Sequence, residues 1–362
     1  MAAVRKARPV GRGENRKLRV AVVGLGMGKA HLRGYLGSGL AEVAAVCDAN
    51  EELLKRVGDE FKVERRYTDY GRMLGAERLD AVSIALPNFL HAPFTVKALE
   101  RGLHVLCEKP MADSVAAAQR MLAAAQKARR LLMINFSFRY IPAARWLQQA
   151  VREGRLGRIY YAHSAWLRRR GIPKLGSWFG DRKRAGGGPL IDLGVHRLDL
   201  AWWLMGRPRP VAASGATYAE IGPRLARRQR AVFNTEDLAV GLIRLEGGQT
   251  IMLEASWAAN CEKEEQMATD LYGTEGGATY RNVGEGYDFE ALLFAEVGGR
   301  QVNVRPKLPA QPAATETSMA GFCQAVLAGR LKVEGDAADG LAVQRMLEGL
   351  YRSAAAGREV RL

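Results

Sequence analysis

Leu18-Arg-Val-Ala-Val-Val23, followed at once by Gly24-Leu-Gly26-Met-Gly28-Lys-Ala-His31, decides how the rest of the chain is read. A short apolar run that gives way to spaced glycines marks a strand ending in a tight turn that opens a helix. Glycines there bring backbone N–H groups close to a pyrophosphate at the helix N-terminus. In the common spacing a third glycine falls at position 29, which here is Lys29, so the loop is one residue tight. A second apolar run, Val43–Cys47, ends at Asp48, 20 residues past Gly28. A carboxylate at that offset accepts hydrogen bonds from both ribose hydroxyls and repels a 2′-phosphate, so NAD is expected rather than NADP. Asp48 is equally suited to cap a helix beginning near Glu51.

The alternation continues with helices over Glu51–Val57, Pro93–Glu100 and Val115–Arg129, and strands over Asp80–Leu86, His104–Glu108 and Leu131–Phe138. Strand and helix in turn predict a Rossmann-type, doubly wound parallel sheet. Ligands of such a sheet lie beyond the carboxyl ends of its strands. Those ends carry Gly24, Gly26, Met27, Gly28, Asp48, Pro87, Asn88, Glu108, Lys109 and Arg139, with His91 opening the helix after Pro87. Past Arg139 the texture changes. A helix over Pro142–Glu153 and a strand over Ile159–Leu167 lead to an Arg- and Gly-rich loop. Strands then follow over Val211–Tyr218, Leu238–Leu245 and Thr250–Trp257, with more to about Val304. Gly247-Gly248 between two alternating runs signals a hairpin, and the whole predicts a large, open, mostly antiparallel sheet. Lys307–Ala314 reads as a linker, and helices over Ala320–Ala328 and Leu341–Ala355 close the chain. The expected division is a disordered basic tail over 1–17, a dinucleotide-binding domain over 18–138 and an α/β substrate and oligomerisation domain over 139–362. The C-terminal helices are free to pack back on the first domain.

Between these parts lies Gly186-Gly-Gly-Pro-Leu-Ile-Asp-Leu-Gly-Val-His-Arg-Leu-Asp199. Its glycines allow close approach of the backbone to something, and Pro189 suits the first turn of a helix. Asp192, His196 and Asp199 fall at i, i+4 and i+7 and share one face, a polar stripe on an otherwise apolar helix that is expected to look into a cleft. The plainer alternative is an Asp–His hydrogen bond that locks the helix. Zinc is set aside, because a catalytic zinc usually takes three protein ligands with histidine predominating.

The totals bound the rest. At 362 residues, 48% hydrophobic and 25% charged, the chain has the composition of a two-domain globular protein. No apolar run approaches the ~20 residues that span a bilayer, and the first 17 residues lack the apolar core of a secretory signal. Cys47, Cys107, Cys261 and Cys323 are scattered, each expected as a small buried residue in a reducing compartment, and the cytoplasm is the expected location. The net charge of +16 includes +5 from residues 1–17, where six Lys and Arg face Glu14 alone. No nucleic-acid-binding motif accompanies it, so neither nucleic acid nor membrane is an expected partner. Arg168-Arg169-Arg170 and Arg182-Lys183-Arg184 bracket the loop before Gly186, and Arg224, Arg227, Arg228 and Arg230 sit in a later loop. If the first loop folds over a substrate, those guanidiniums are placed to hold a carboxylate or phosphate; otherwise they are solvated surface charges.

The order of motifs resembles the Gfo/Idh/MocA family of dinucleotide-dependent oxidoreductases. The resemblance is diffuse over about residues 18–362. It is sharp at Gly24–His31, at Pro87-Asn88-Phe-Leu-His91 with Gly102–Pro110, and at Gly186–Asp199, and Ser353-Ala-Ala-Ala-Gly-Arg-Glu-Val is also typical. It implies Lys109, Asp192 and His196 as the reacting groups, with Arg139 on the substrate side, a cis Lys109–Pro110 bond and no metal. It also implies a dimer or tetramer through the second domain's sheet. The expected reaction is hydride transfer between NAD and a secondary alcohol or ketone of a sugar, polyol or sugar derivative. The alternatives it leaves open are glycoside hydrolysis by transient oxidation and a non-catalytic NAD-binding sensor.

Overall fold

The structure is a computed structural model that describes residues 16–309 and 314–362. Two compact units divide the chain. One takes it up to Ser137 and adds a later segment ending at Leu341; the other begins at Phe138 and takes the stretch from Ala342 to the end. The tail expected over 1–17 lies outside the described residues up to position 15, as do residues 310–313 of the expected linker. Arg16, where description begins, is paired with Asp80 at 2.6 Å.

The first unit holds strands β1 (Leu18–Val23), β2 (Ala41–Cys47), β3 (Arg66–Tyr67), β4 (Ala81–Ile84), β5 (His104–Cys107) and β6 (Leu132–Ile134) in one parallel sheet of order β3-β2-β1-β4-β5-β6. That order is the one from which a doubly wound dinucleotide fold gains its crevice, at the switch between β1 and β4. Every side chain of β4 and β5 is buried, as a parallel strand covered on both faces requires. Helices α1 (Leu25–Ser38), α2 (Glu51–Glu60), α3 (Tyr70–Ala76), α4 (Asn88–Glu100) and α5 (Val115–Ala128) connect the strands. β3 and α3 went unread in the sequence: two residues carry no alternation, although Asp69, whose side chain accepts from Arg72 N at 2.6 Å, was a start signal for α3. The helix expected from Pro93 begins five residues earlier, leaving Pro93 inside it. The strand expected over Leu131–Phe138 stops at Ile134, and a 3₁₀ turn covers Ser137–Tyr140.

The second unit adds α6 (Pro142–Arg152), β7 (Ile159–Arg168), a one-turn α7 (Arg182–Ala185), a π-helical turn at Leu190–Gly194, and α8 (Val195–Leu204). Strand β8 (Pro210–Tyr218) and helix α9 (Gly222–Arg228) follow. The remaining strands are β9 (Leu238–Leu245), β10 (Thr250–Ser256), β11 (Glu265–Gly273), β12 (Gly276–Val283), β13 (Asp288–Val297), β14 (Arg300–Val304) and β15 (Val360–Arg361). They form a nine-stranded sheet of order β14-β13-β12-β11-β7-β10-β9-β8-β15. Among the described residues it is antiparallel except where β7 and β10 run parallel, and β9 and β10 make the hairpin marked by Gly247-Gly248. The π turn and α8 lie along β7 and β10, with α8 also against β11. Helices α10 (Ala314–Leu327) and α11 (Ala337–Ala356) close the chain, and α10 packs on α1 in the first unit. Arg224, Arg227 and Arg228, expected in a loop, are on α9. Cys47, Cys107 and Cys323 are buried, but Cys261 is half-exposed, against the expectation that all four would be core residues.

Candidate active site

In the first unit the turn after β1 is built by Gly24, whose φ of 84° belongs to the left-handed region and whose added Cβ would lie 2.3 Å from Ala85 O at the end of β4. Gly28 packs on the strand, since a Cβ there would meet Val22 Cγ1 at 2.9 Å. That is the helix–strand contact the pattern assigns to a glycine one position later, so Lys29 is accommodated and turns out to Glu60. Gly26 differs from both, because nothing of the protein lies within 4 Å of where its Cβ would be. The backbone there is open to a ligand. Met27 beside it is 58% exposed and the first turn of α1 has no acidic residue, so the helix N-terminus offers an anion those N–H groups that Asp48 and Gly24 O do not take. Asp48 accepts from Leu25 N at 2.7 Å and from Asn50 N at 2.8 Å, tying the end of β2 to the start of α1. The cap of α2 is Asn50, which accepts from Leu53 N, so capping that helix is not what Asp48 is for. This glycine cradle, the open backbone at Gly26 and the Asp48 carboxylate at the helix start fit a dinucleotide, with Gly24, Gly26, Met27, Gly28 and Asp48 as the residues that would hold it.

The carboxyl ends of β4 and β5 carry Pro87, which precedes α4, the buried Asn88, and Glu108-Lys109-Pro110 with a cis Lys109–Pro110 bond. Lys109 is half-buried. Two residues expected to touch cofactor are engaged by the protein itself. His91 is fully buried with its ring nitrogens 2.8 Å from Pro110 O and 2.7 Å from Leu86 O, so it clamps the two strand ends together. Glu108 turns inward: its Oε1 is 2.8 Å from His31 Nε2 and accepts from Asn135 at 2.6 Å, while Oε2 accepts from Lys109 N. Burial by itself raises the Glu108 carboxyl, but the hydrogen bond and charge of His31, with Asn135 and Lys109, outweigh it and bring the group down to about 2. Ser83 on His31 Nδ1 and Ser318 on Asn135 complete the network. The lysine is therefore carried on a strand end fixed from three sides.

In the second unit the glycines before Pro189 approach the chain's own side chains. A Cβ on Gly187 would sit 2.0 Å from the Tyr351 hydroxyl, and one on Gly188 2.2 Å from Glu236 O. The Glu236 carboxylate is buried against the start of the π turn, where one oxygen accepts from Gly188 N at 2.9 Å, Leu190 N at 3.2 Å and Tyr351 OH at 2.7 Å. The π turn widens the register from Leu190 to Gly194, a departure often found at functional sites. From Gly187 to Leu204 every residue is buried except Asp192 and His196. Trp257, wholly buried at the end of β10, donates to Asp192 Oδ2 at 3.0 Å. The His196 ring rests edge-on against Phe138, 4.9 Å between centroids, and beside Trp166 at 5.7 Å.

The third member of the expected stripe leaves the site. Asp199 is 1% exposed and takes both Nε and Nη2 of Arg139, at 3.0 and 2.5 Å. Arg139, expected on the substrate side, is itself fully buried, with Trp203 stacked 5.7 Å from its guanidinium carbon. The pair is an internal ion pair of the helix packing. Arg168, Arg169 and Arg170 are likewise not free of partners in the protein. Arg168 is held by Glu265 at 2.7 Å and by Tyr287, Arg169 by Glu264, and Arg170 by Asn260 and the Ala259 carbonyl. Glu236, Tyr351 and Trp257 are residues of the site that no sequence motif marks: the partners of the first two lie 46 or more residues away and that of Trp257, which closes an alternating strand, lies 65 away.

Residues 18–136 match a family described as "Oxidoreductase family, NAD-binding Rossmann fold", and residues 144–279 match the GFO/IDH/MocA C-terminal domain. The chain is 31% identical to D-glucoside 3-dehydrogenase of Escherichia coli (strain K12) over 95% of its own length and 97% of that protein's. Among solved structures it superposes with a TM-score of 0.80 on aldose-aldose oxidoreductase from Caulobacter crescentus complexed with glycerol, at 28% identity, covering 96% of this chain and 100% of that one. It superposes with a TM-score of 0.81 on GenD2 from gentamicin A biosynthesis in complex with NAD, at 29% identity over 98% and 99% of the two chains.

Proposed function

The chain belongs to the GFO/IDH/MocA family, an oxidoreductase with an NAD-binding Rossmann fold, and from that premise we propose that it oxidises a secondary hydroxyl of a neutral sugar or glycoside. The observation that carries the proposal is the burial of the whole active-site helix save Asp192 and His196. A helix that hides every other residue and leaves only an acid and an imidazole accessible is arranged to present those two. Bound NAD supplies the hydride acceptor. His196 takes the proton of the hydroxyl, which a neutral imidazole does well near neutral pH. Asp192, oriented by Trp257, accepts a hydrogen bond from a neighbouring hydroxyl or from the imidazole. Lys109 donates to the reacting oxygen and stabilises its alkoxide character.

The relatives named for sugars support the substrate class, and the engagement of Arg168, Arg169 and Arg170 by the protein favours a neutral substrate over an anionic one. Assembly through the nine-stranded sheet, a cytoplasmic location and the absence of nucleic-acid or membrane partners are part of the same proposal; among the described residues no helix is long and apolar enough to cross a membrane. The test is a turnover screen of inositols, aldoses, methyl glycosides, sugar acids and nucleotide-sugars with NAD. Accumulation of NADH with a neutral sugar or glycoside is expected. Release of an aglycone without net NADH would replace the proposal with glycoside cleavage by transient oxidation, and turnover confined to sugar acids would refute the neutral-substrate assignment.

A further inference from the structure

Arg197 follows His196 in the sequence and is fully buried, yet no carboxylate hydrogen-bonds its guanidinium, whose nearest polar neighbour is the Tyr280 hydroxyl. Rings surround it: its guanidinium carbon is 4.3 Å from the centre of Phe138, 5.4 Å from Trp166 and 5.6 Å from Tyr280. Cation–π attraction offsets part of the desolvation of such a charge, but an unpaired buried ion is still costly and calls for a reason. Burial lowers the Arg197 group to about 10, which leaves it charged at neutral pH. The nearby carboxylate Asp199 is committed to Arg139, so this part of the interior holds two guanidiniums against one carboxylate.

We propose that Arg197 is a positioning residue whose buried charge holds His196 in its neutral, proton-accepting form. The two groups share the Phe138 ring, at 4.3 and 4.9 Å from its centre, which bounds their separation at about 9 Å. Across an interior that salt penetrates poorly, a positive charge at that range opposes protonation by about one pH unit. Other charges on the elements packed around α8 are largely matched. Arg168 on β7 is paired with Glu265 of β11 and Tyr287, and Arg139 with Asp199. Arg145 of α6 is stacked over Tyr140 and Trp203. His163 lies beside Glu254 of β10 and Asp270 of β11, on the side of β7 opposite to Ser164, whose hydroxyl bonds the Arg197 carbonyl. Asp192, on the π turn, works in the opposite sense and favours the imidazolium. Arg197 is the counterweight to Asp192: it lets an acid sit one turn from the base without fixing a proton on that base.

This inference rests on His196 being the proton acceptor, and its test separates the two. The imidazole of His196, assigned by its loss in His196→Asn, is titrated by NMR in the full-length protein, in wild type, Arg197→Met and Arg197→Lys. The expected result is a midpoint about one pH unit higher in Arg197→Met and close to wild type in Arg197→Lys. An unmoved midpoint in Arg197→Met overturns the inference, as does an equal rise in Arg197→Lys, which would make packing and not charge the cause. Should Arg197→Met fail to fold, Arg197→Gln is titrated in its place, and an unmoved midpoint there overturns the inference. The acid limb of kcat/KM is measured in parallel. If the NMR midpoint moves and the acid limb does not, the electrostatic role of Arg197 stands and the assignment of His196 as base is what fails.

Discussion

Replacing Glu236 by Ala removes the acceptor on which the start of the active-site helix is hung. Its Oε1 takes Gly188 N at 2.9 Å, Leu190 N at 3.2 Å and Tyr351 OH at 2.7 Å. The two backbone bonds are buried, so their donors lose a partner without regaining bulk water. Hydrogen bonds to a carboxylate contribute about 1.5–3 kcal/mol each. Three at the lower bound come to about 4.5 kcal/mol, and a water entering the vacated space would recover part of it, leaving about 3 kcal/mol. Glu236→Gln keeps an acceptor oxygen in place and should lose about 1 kcal/mol or less. The assay is urea unfolding of the three proteins, with kcat and KM measured on the same preparations. Loosening the π turn that carries Asp192 should also lower kcat about 10–100-fold, because small misplacements of reacting groups are amplified, while the dissociation constant for NAD stays near wild type. Equal stability of the Ala and Gln variants would refute the claim that this oxygen satisfies the helix start. A destabilised Ala variant with unchanged kcat would show that the cap supports the fold and not the site.

Four further outcomes follow from the same geometry. Steady-state kinetics with both coenzymes should favour NAD over NADP, and a clear NADP preference would remove Asp48 as the ribose ligand. His196→Asn and Lys109→Ala should each lower turnover by ~10²–10⁴ with NAD binding retained in His196→Asn; near-normal turnover in that variant would make the helix stripe structural. Glu108, depressed to about 2 in the folded protein, contributes stability that is complete above the ordinary carboxylate range and is lost as pH falls through the folded value. Unfolding free energies should therefore show Glu108→Gln about 3 kcal/mol below wild type at pH 7, with the gap closing between about pH 4.5 and pH 2; a gap independent of pH would exclude the His31–Glu108 interaction as its source. Arg169→Gln and Arg170→Gln should leave KM for a neutral sugar unchanged, whereas a rise confined to anionic substrates would restore the arginine cluster as a binding surface.

Much of the first unit was legible because a parallel strand buried on both faces writes itself as an uninterrupted apolar run. β4 and β5 are buried along their whole length, and the helix read over Val115–Arg129 is α5, capped by Ser114, whose hydroxyl accepts from Ala117 N. What escaped was short or locally irregular. Two residues at Arg66–Tyr67 pair with β2 only because the sheet is already there. Pro93 reads as a first-turn proline, yet α4 begins at Asn88, beyond the end of β4, where the His91 ring lies between backbone carbonyls of both flanking strand ends and donates to one of them.

The site shows a sharper limit. Spacing of i, i+4 and i+7 places three polar residues on one helix face, and no periodicity argument distinguishes a face that meets a ligand from one that meets another side chain. Asp199 found Arg139, 60 residues earlier, and the two neutralise each other inside the core. Asp192 found the indole of Trp257, 65 residues later, and kept part of its surface. The same limit governs the arginines: Arg168 reads as free charge until Glu265, 97 residues away on the neighbouring strand, is brought beside it. Arg197 reverses the pattern: it is a guanidinium buried among Phe138, Trp166 and Tyr280, next to the imidazole whose protonation it opposes.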